Sequence, residues 1–216
     1  MKTPQQVRAM VDGLKQLYPD GICSLQYKKD YELLFAVRLS AQCTDERVNQ
    51  VTPALFARFP TLEAFAQADV EEVGEYIHSC GFFNGKARDI VACAQQLMEK
   101  HGGKVPDTME ELLKLPGVGR KTANLILGDV YHVPGVVVAD THCIRITGRL
   151  GITDGSKDPL QVERQLRQSI PPKESNNFCH RLVLFGRDTC TARSPQCEGC
   201  PLAKDCDTAK AAARKK

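Results

Sequence analysis

The sequence has no long apolar run, no compositional bias and little net charge, and each absence excludes a class of protein. The longest uninterrupted apolar stretches, around Leu33–Val37 and Val136–Ala139, fall far short of the roughly 20 residues that a membrane-spanning helix needs. The opening segment, MKTPQQVRAMVDGLKQ, lacks the apolar core of a signal peptide. A chain of 216 residues with 16 Gly and 12 Pro is also not collagen-like, low-complexity or a miniprotein. We therefore expect a soluble, cytoplasmic protein of one or two domains.

Positive charge is concentrated in the last fifth of the chain. Residues 173–216 hold nine Lys and Arg against five Asp and Glu, whereas the rest of the chain holds 20 against 21. Such asymmetry favours a polyanionic partner. A solubilising tail that ends in Arg214, Lys215 and Lys216 explains the charge equally well, so charge alone leaves the partner open.

Apolar residues recur at helical spacing along almost the whole chain, which predicts an all-α fold of many short helices. Thr3 and Pro4 are typical of a helix start and predict a helix toward Tyr18. The stretch Pro134–Ala139 looks like a strand but has nothing to pair with. Asp30 is predicted to cap a buried helix over the dense apolar stretch YELLFAVRLSAQ (31–42). Further helices are predicted after the caps Thr44 (to Arg58) and Thr108 (with Glu111, ending near Leu115), and over residues 62–67, 70–78, 85–101, 120–131, 141–150, 159–169 and 175–188.

Ten cysteines in a chain without an export signal do not indicate a disulfide framework. Four of them form the pattern C-x6-C-x2-C-x5-C, which is dense enough for all four thiolates to reach one metal centre. Both zinc and an iron–sulfur cluster accept four such ligands, and the long first spacing favours iron–sulfur. The other six are predicted to be small buried residues. The four are Cys190, Cys197, Cys200 and Cys206; the six are Cys23, Cys43, Cys80, Cys93, Cys143 and Cys179.

The segment LPGVGRKTAN (115–124) lies between two helical patterns and predicts a tight turn that leads into a helix. Gly117 and Gly119 permit the turn and a close approach by another surface. The helix that begins near Arg120 directs its unpaired N–H groups and positive dipole end out of the turn, which suits a phosphate. Lys121 stands in the first helical turn, where the dipole favours the neutral amine, the nucleophilic form. An ordinary exposed helix lysine is the alternative.

The segment VVVADTH (136–142) supplies a carboxylate at the start of the next predicted helix. Asp140 follows a run of apolar residues, and an N-cap is the simplest role for it. A carboxylate in such surroundings can also stabilise positive charge that forms on a sugar ring. His142 is expected to hold the local backbone or a phosphate.

Taken together, these segments resemble the endonuclease III family of helix–hairpin–helix DNA glycosylases. The resemblance rests on LPGVGRK followed by VADTH and the four-cysteine pattern, and it extends to SAQCTDERVN (40–49) and GFFNGKA (81–87). It implies a six-helix barrel domain over residues 24–133, with the hairpin at about 109–131. It also implies a cluster domain formed by residues 1–23 and 134–216, with a cluster loop at 190–206 and the active site in the cleft between the two lobes.

The same resemblance implies a role for each candidate site residue. Lys121 matches the nucleophile and Asp140 the essential aspartate, while the four cysteines of the pattern match the ligands of a [4Fe–4S] cluster. Gln42 matches the residue that fills the gap left by a flipped base, and Phe82 stands where a leucine wedge is common. The remaining expected DNA contacts are Gly117, Gly119, Arg120, His142 and Arg193.

The implied activity is that of a bifunctional DNA glycosylase and abasic-site lyase, which removes oxidised pyrimidines from duplex DNA and works as a monomer without a diffusible cofactor. In a bacterium it would associate with the nucleoid. The chain departs from the family pattern at two positions. Cys43, beside Gln42, stands where alanine is common; Leu113 stands where many members carry glutamate, and this second departure bears on the efficiency of the chemistry. An adenine-mismatch or pyrimidine-dimer glycosylase and a non-catalytic DNA-binding module are the alternatives.

Overall fold

A computed structural model describes residues 2–214, and every regular element in that range is helical. Lys215 and Lys216 of the basic tail lie outside the described residues. The chain separates into two compact units: Cys23–Tyr131, and the chain up to Ile22 together with the chain from His132. The helices are α1 (Pro4–Leu17), α2 (Asp30–Leu39), α3 (Asp45–Arg58), α4 (Leu62–Ala66), α5 (Val70–Ile77), α6 (Phe83–His101), α7 (Met109–Leu112), α8 (Arg120–Asp129), α9 (Thr141–Leu150), α10 (Pro159–Ser169), α11 (Ser175–Asp188) and α12 (Asp207–Ala213), with short 3-10 helices at His78–Cys80 and Pro172–Glu174.

Side-chain caps fix most of the helix starts at the predicted places. Thr3 forms a capping box with Gln6 at the start of α1, and Thr44 accepts the Arg47 amide at the start of α3. Asp30, predicted as a cap, is instead the first residue of α2. Glu32 causes the difference, because its carboxylate accepts the amide of Lys28 at 2.7 Å.

Four other predicted boundaries are wrong by two or more residues, and one helix was missed. Helix α2 ends at Leu39, three residues before Gln42. Helix α6 begins two residues early, because the Lys86 amide already bonds to the Phe82 carbonyl at 3.2 Å. Helix α7 ends at Leu112 rather than near residue 115, and α8 ends two residues before 131. Helix α12 lies in the polar tail, which gave no periodic signal. The strand-like stretch 134–139 forms no strand within the described chain.

The unit Cys23–Tyr131 is built around α2 and α6. Nearly every residue of α2 is buried, as its dense apolar sequence predicts. Phe65 of α4 packs edge-on against Phe35 of α2, with ring centroids 4.9 Å apart, at the centre of an aromatic cluster. Helix α6 packs on α4 and α5, while α8 packs on α2 and α7. The hairpin between α7 and α8 therefore rests on the buried core of this unit.

The second unit is built around α9 and α11, and α1 packs against α11. The buried Arg181 of α11 donates to the Tyr18 carbonyl at 3.0 Å and pairs with Glu174, which also binds Lys15. These two cations hold the pKa of the Glu174 carboxyl below its usual range, with the Lys15 hydrogen bond the larger cause. Helix α12 packs on α9. No helix among residues 2–214 is both long and apolar enough to cross a membrane.

Candidate active site and cysteine-lined cavity

Gly117 occupies a turn that only glycine fits. The Val118 amide donates to the Leu115 carbonyl at 3.2 Å, and Gly117 has a left-handed φ of 72°. A Cβ atom there would lie 2.8 Å from Nε of Arg38 and 2.9 Å from Oδ2 of Asp89. Those two side chains form an ion pair of 2.7 Å. The turn therefore needs Gly117 both for its backbone and for the ion pair beneath it.

Gly119 has a different role from Gly117, although the sequence suggested the same one. It caps α8 with a φ of −101°, a conformation that any residue adopts. A Cβ atom there would meet nothing within 4 Å. The missing side chain thus leaves open space in front of the first turn of α8, where three backbone N–H groups have no helical partner.

Lys121 is the second residue of α8 and is exposed to solvent, as is Arg120 before it. The hairpin thus presents one amine together with the positive end of a ten-residue helix. A negatively charged group that met these N–H groups would come within reach of that amine.

Asp140 is the N-cap of α9, which confirms the simplest role for it. Its Oδ1 accepts the Cys143 amide at 2.7 Å, and the carboxylate is half-buried after the buried valines 136–138. His142 is also half-buried, and its Nδ1 lies 3.2 Å from a guanidinium nitrogen of Arg145. A Cβ atom on Gly186 of α11 would lie 2.3 Å from that same Nδ1. His142 therefore packs tightly between α9 and α11.

Gln42 and Phe82 share an unusual backbone conformation. Both are non-glycine residues with a left-handed φ, 54° at Gln42 and 47° at Phe82. Gln42 lies beyond the end of α2 in a turn, although the sequence predicted that the helix continued through it. Phe82 is 74% exposed, so it is not a core aromatic. Strained residues of this kind cluster at ligand-binding sites.

Lys86 ties the segments of Gln42 and Phe82 together. Its side chain is buried, and its ammonium donates to the Leu39 carbonyl at 2.7 Å and to the Cys80 carbonyl at 2.9 Å. Burial lowers the pKa of Lys86. One buried cation therefore fixes the end of α2 and the end of the 3-10 helix beside each other. The sequence did not single out Lys86, because a lysine within an amphipathic helix is expected to be exposed to solvent.

The four cysteines of the C-x6-C-x2-C-x5-C pattern line one cavity, together with Leu150 and Phe185. Burial raises the pKa of the Cys200 thiol, and the charges of the other three raise it further. Among residues 2–214, no three His, Cys, Asp or Glu side chains are arranged to hold a single metal ion. Four thiols around one cavity match the need of a [4Fe–4S] cluster for one cysteine at each iron.

Two arginines of α9, which sequence reasoning did not single out, hold the start of the cysteine loop. Arg149 donates to the Thr191 and Ala192 carbonyls, each at 2.7 Å, and approaches the Cys190 sulfur at 3.4 Å. Arg145 donates to the Cys190 carbonyl at 3.1 Å. The only signal in the sequence was their spacing of four residues, which puts them on one face of the helix.

The predicted site residues divide between the two units. Lys121 and the expected contacts Gln42, Phe82, Gly117, Gly119 and Arg120 belong to the unit Cys23–Tyr131; Asp140, His142, Arg193 and the cysteines Cys190, Cys197, Cys200 and Cys206 belong to the other. Arg193 is exposed. Of the six scattered cysteines, Cys23 and Cys43 are only half-buried, whereas the other four are buried as predicted.

The chain matches the models of two protein families. Residues 35–172 match the HhH-GPD superfamily base excision DNA repair protein, and residues 190–206 match the iron-sulfur binding domain of endonuclease III. The second match spans the cysteine pattern.

Individual relatives cover nearly the whole chain. Endonuclease III of Synechocystis is 48% identical over 92% of this chain and 90% of the relative, and that of Bacillus subtilis is 40% identical over 94% and 92%. A structure of a trapped endonuclease III–DNA covalent intermediate superposes with a TM-score of 0.92 at 42% identity, covering 99% of this chain and 100% of that one. A thermostable thymine-DNA glycosylase, 19% identical with a TM-score of 0.84 over 96% and 98% of the two chains, shares the fold.

Proposed function

The chain belongs to the HhH-GPD superfamily of base excision DNA repair proteins and, within it, to the endonuclease III family, and from that premise we propose how its own residues act. It is a DNA glycosylase with abasic-site lyase activity, and its cofactor is a [4Fe–4S] cluster. The observation that carries the proposal is Lys121, an exposed amine in the first turn of α8 directly after the hairpin. Support comes from the structural neighbour, which was trapped as a covalent intermediate with DNA.

In the proposed reaction, Lys121 attacks C1′ of the damaged nucleotide. The C1′–N bond breaks, and the base leaves with the bonding electrons. The Lys121 nitrogen then gives up one proton, the C1′–O4′ bond breaks and O4′ takes up a proton, which opens the sugar ring and leaves a protonated Schiff base. Loss of a proton from C2′ expels the 3′ phosphate and cuts the strand on that side. Water hydrolyses the remaining Schiff base and frees the amine.

Asp140 stabilises the positive charge that develops on the sugar as the base departs. Its half-buried position strengthens that interaction over one in bulk water. The Cys143 amide holds one carboxylate oxygen in place, so the carboxylate is oriented before DNA arrives. Capping and catalysis are thus compatible in this one residue.

DNA is held chiefly through phosphates, which carry no sequence information. The first-turn amides of α8, in the open space at Gly119, and the exposed Arg120 grip one phosphate. His142 and Arg193 are proposed further contacts. Gln42 and Phe82 occupy the vacated stack when the lesion nucleotide swings out, and their left-handed backbones support this role.

Cys190, Cys197, Cys200 and Cys206 are the proposed ligands of the cluster, one for each iron. When bound, the cluster supplies a rigid, charged anchor for the loop. The chain supports it with Arg149, whose guanidinium approaches the Cys190 sulfur and would offset thiolate charge.

We propose oxidised pyrimidines in duplex DNA as substrates and a monomer as the active form. The test is a panel of matched duplexes that carry thymine glycol, uracil, a pyrimidine dimer or adenine opposite 8-oxoguanine. We expect base release and strand cleavage on thymine glycol well above the other three. Preferred cleavage of the dimer or of the mismatch would refute the substrate assignment, and tight binding without base release from any duplex would refute the enzymatic role.

A further inference from the structure

Two thiols outside the proposed chemistry lie in contact beside the proposed intercalating residues. Cys43 directly follows Gln42, and Cys80 comes two residues before Phe82. The Cys43 and Cys80 side chains are within hydrogen-bonding contact. Both belong to the unit Cys23–Tyr131.

Backbone hydrogen bonds hold the segments of Cys43 and Cys80 beside each other. Lys86 donates to the carbonyl of Cys80 itself and to that of Leu39, four residues before Cys43. The Cys43 amide donates to the Ser40 carbonyl at 3.1 Å, which closes the turn between them. The two segments are therefore held together whether or not the thiols interact.

The two thiols differ in access to solvent. Cys43 is half-buried, whereas Cys80 is 2% exposed. Burial, together with the neighbouring Cys43 thiol, raises the pKa of Cys80 to about 11. A reagent from solvent therefore meets Cys43 first. Cys80 lies beside what forms there, and its raised pKa makes the loss of its proton the slow step of the attack.

We propose that Cys43 and Cys80 form a reversible dithiol–disulfide switch that a small-molecule disulfide closes and that thereby disables the two DNA-intercalating segments. The effect on DNA rests on the proposed roles of Gln42 and Phe82. The Cys43 thiolate attacks one sulfur of the small disulfide. That sulfur stays on Cys43 as a mixed disulfide, while the S–S bond breaks and the other sulfur leaves as a thiolate that takes up a proton. Cys80 then loses its proton and attacks the Cys43 sulfur, expelling the second thiol. Two protein thiols are oxidised, and one disulfide is reduced to two thiols.

Closure must move the two segments. A disulfide joins its sulfurs at about 2.05 Å, much less than the separation of two hydrogen-bonded thiols. Gln42 and Phe82 hold left-handed backbones in narrow energy wells, so small shifts at the adjacent residues reorient both side chains. Lesion capture should fall while the core of the unit stays folded.

The test treats the complete, cluster-loaded protein with oxidised glutathione and maps disulfides by mass spectrometry after alkylation. We expect a Cys43–Cys80 disulfide, at least a tenfold loss of cleavage of thymine glycol duplex, and recovery with dithiothreitol. Cluster absorption is followed throughout, so that lost activity is not mistaken for lost cluster. Cys43→Ala should cleave the lesion duplex normally and keep that activity in the oxidant. Cys93→Ala, the control, removes a buried thiol of α6 that lies in neither segment, and it should lose activity in the oxidant as the unaltered protein does.

Each remaining outcome counts against the switch. A glutathione adduct that stays on Cys43, or a disulfide that leaves cleavage unchanged, would overturn it. Oxidant sensitivity that persists in Cys43→Ala would do the same. If the reduced protein cleaves no lesion duplex, the proposed function fails, yet the mass measurement still decides whether the two thiols join.

Discussion

At the scale of single residues, Asp140 combines a structural and a chemical role that two substitutions separate. Asparagine caps helices as well as aspartate does, whereas alanine costs about 1 kcal/mol. We expect Asp140→Asn to keep the free energy of unfolding within a few tenths of a kcal/mol and to slow base excision by at least about a hundredfold. Asp140→Ala should lose both excision and about 1 kcal/mol of stability. Thermal unfolding measures the effect on stability, and single-turnover kinetics measure the effect on base excision. If Asp140→Asn excised the base as fast as the unaltered protein, the Asp140 carboxylate would have no role in the reaction.

Some features of single residues could be predicted from the sequence, and others could not. Lys121 and Asp140 could be picked out because each stands at a helix start whose signals are local. The burial of Lys86 could not, because it depends on two carbonyls distant in sequence that only the packed chain brings together. The left-handed φ at Gln42 and Phe82 was equally hidden, because neither residue type favours it.

At the scale of elements, the two glycines of the hairpin should fail in different ways when substituted. Gly117→Ala forces a left-handed alanine onto the Arg38–Asp89 ion pair and should cost roughly 1–3 kcal/mol of stability. Gly119→Val meets open space in the protein, so its stability cost should be limited to the loss of a favoured N-cap, at most about 1 kcal/mol. DNA affinity should drop, because the branched side chain blocks approach to the α8 amides. Denaturant unfolding and fluorescence anisotropy with abasic duplex separate the two. Normal affinity in Gly119→Val would show that no phosphate binds in front of α8.

The cysteine loop offers a second prediction at this scale. Arg149 closes the start of the loop through the Thr191 and Ala192 carbonyls and contacts the Cys190 sulfur. Arg149→Met should leave these acceptors unpaired, and the cluster absorption should decay several-fold faster under an iron chelator in air. Arg164→Met, which removes an exposed arginine from α10, is the matched control. Equal decay in the two variants would leave Arg149 without a role at the cluster.

The observed helix boundaries agree with the predicted ones where the capping group is a nearby side chain, and they differ where another group satisfies the backbone amides. Thr3 and Thr44 behaved as predicted because their hydroxyls reach amides three residues away. The start of α2 moved because Glu32 satisfies the amides before it. The tail helix α12 was missed because it packs on α9 without burying any of its own residues, so no apolar periodicity marks it in the sequence.

At the scale of the whole molecule, the cysteine pattern and the hairpin together predicted both the fold class and the cofactor. Spacing alone left zinc and iron–sulfur open, because four close thiolates suit either. The cysteines around one cavity supply the four ligands, and the match of residues 190–206 to the iron-sulfur binding domain of endonuclease III decides in favour of the cluster. Neither the motifs nor the fold class predicts substrate preference, because that preference depends on the shape of the pocket that receives the base.

Covalent trapping tests the central claim, that the Lys121 amine is the nucleophile. Borohydride reduces a Schiff base to a stable amine, so it should join the unaltered protein to duplex DNA that holds a pre-formed abasic site. Asp140→Asn should also be trapped there, since no glycosidic bond has to break. Lys121→Gln, which keeps length and polarity, should still bind the duplex yet give no adduct and no strand cleavage. An adduct formed by Lys121→Gln at the rate of the unaltered protein would show that another amine is the nucleophile and would contradict the account.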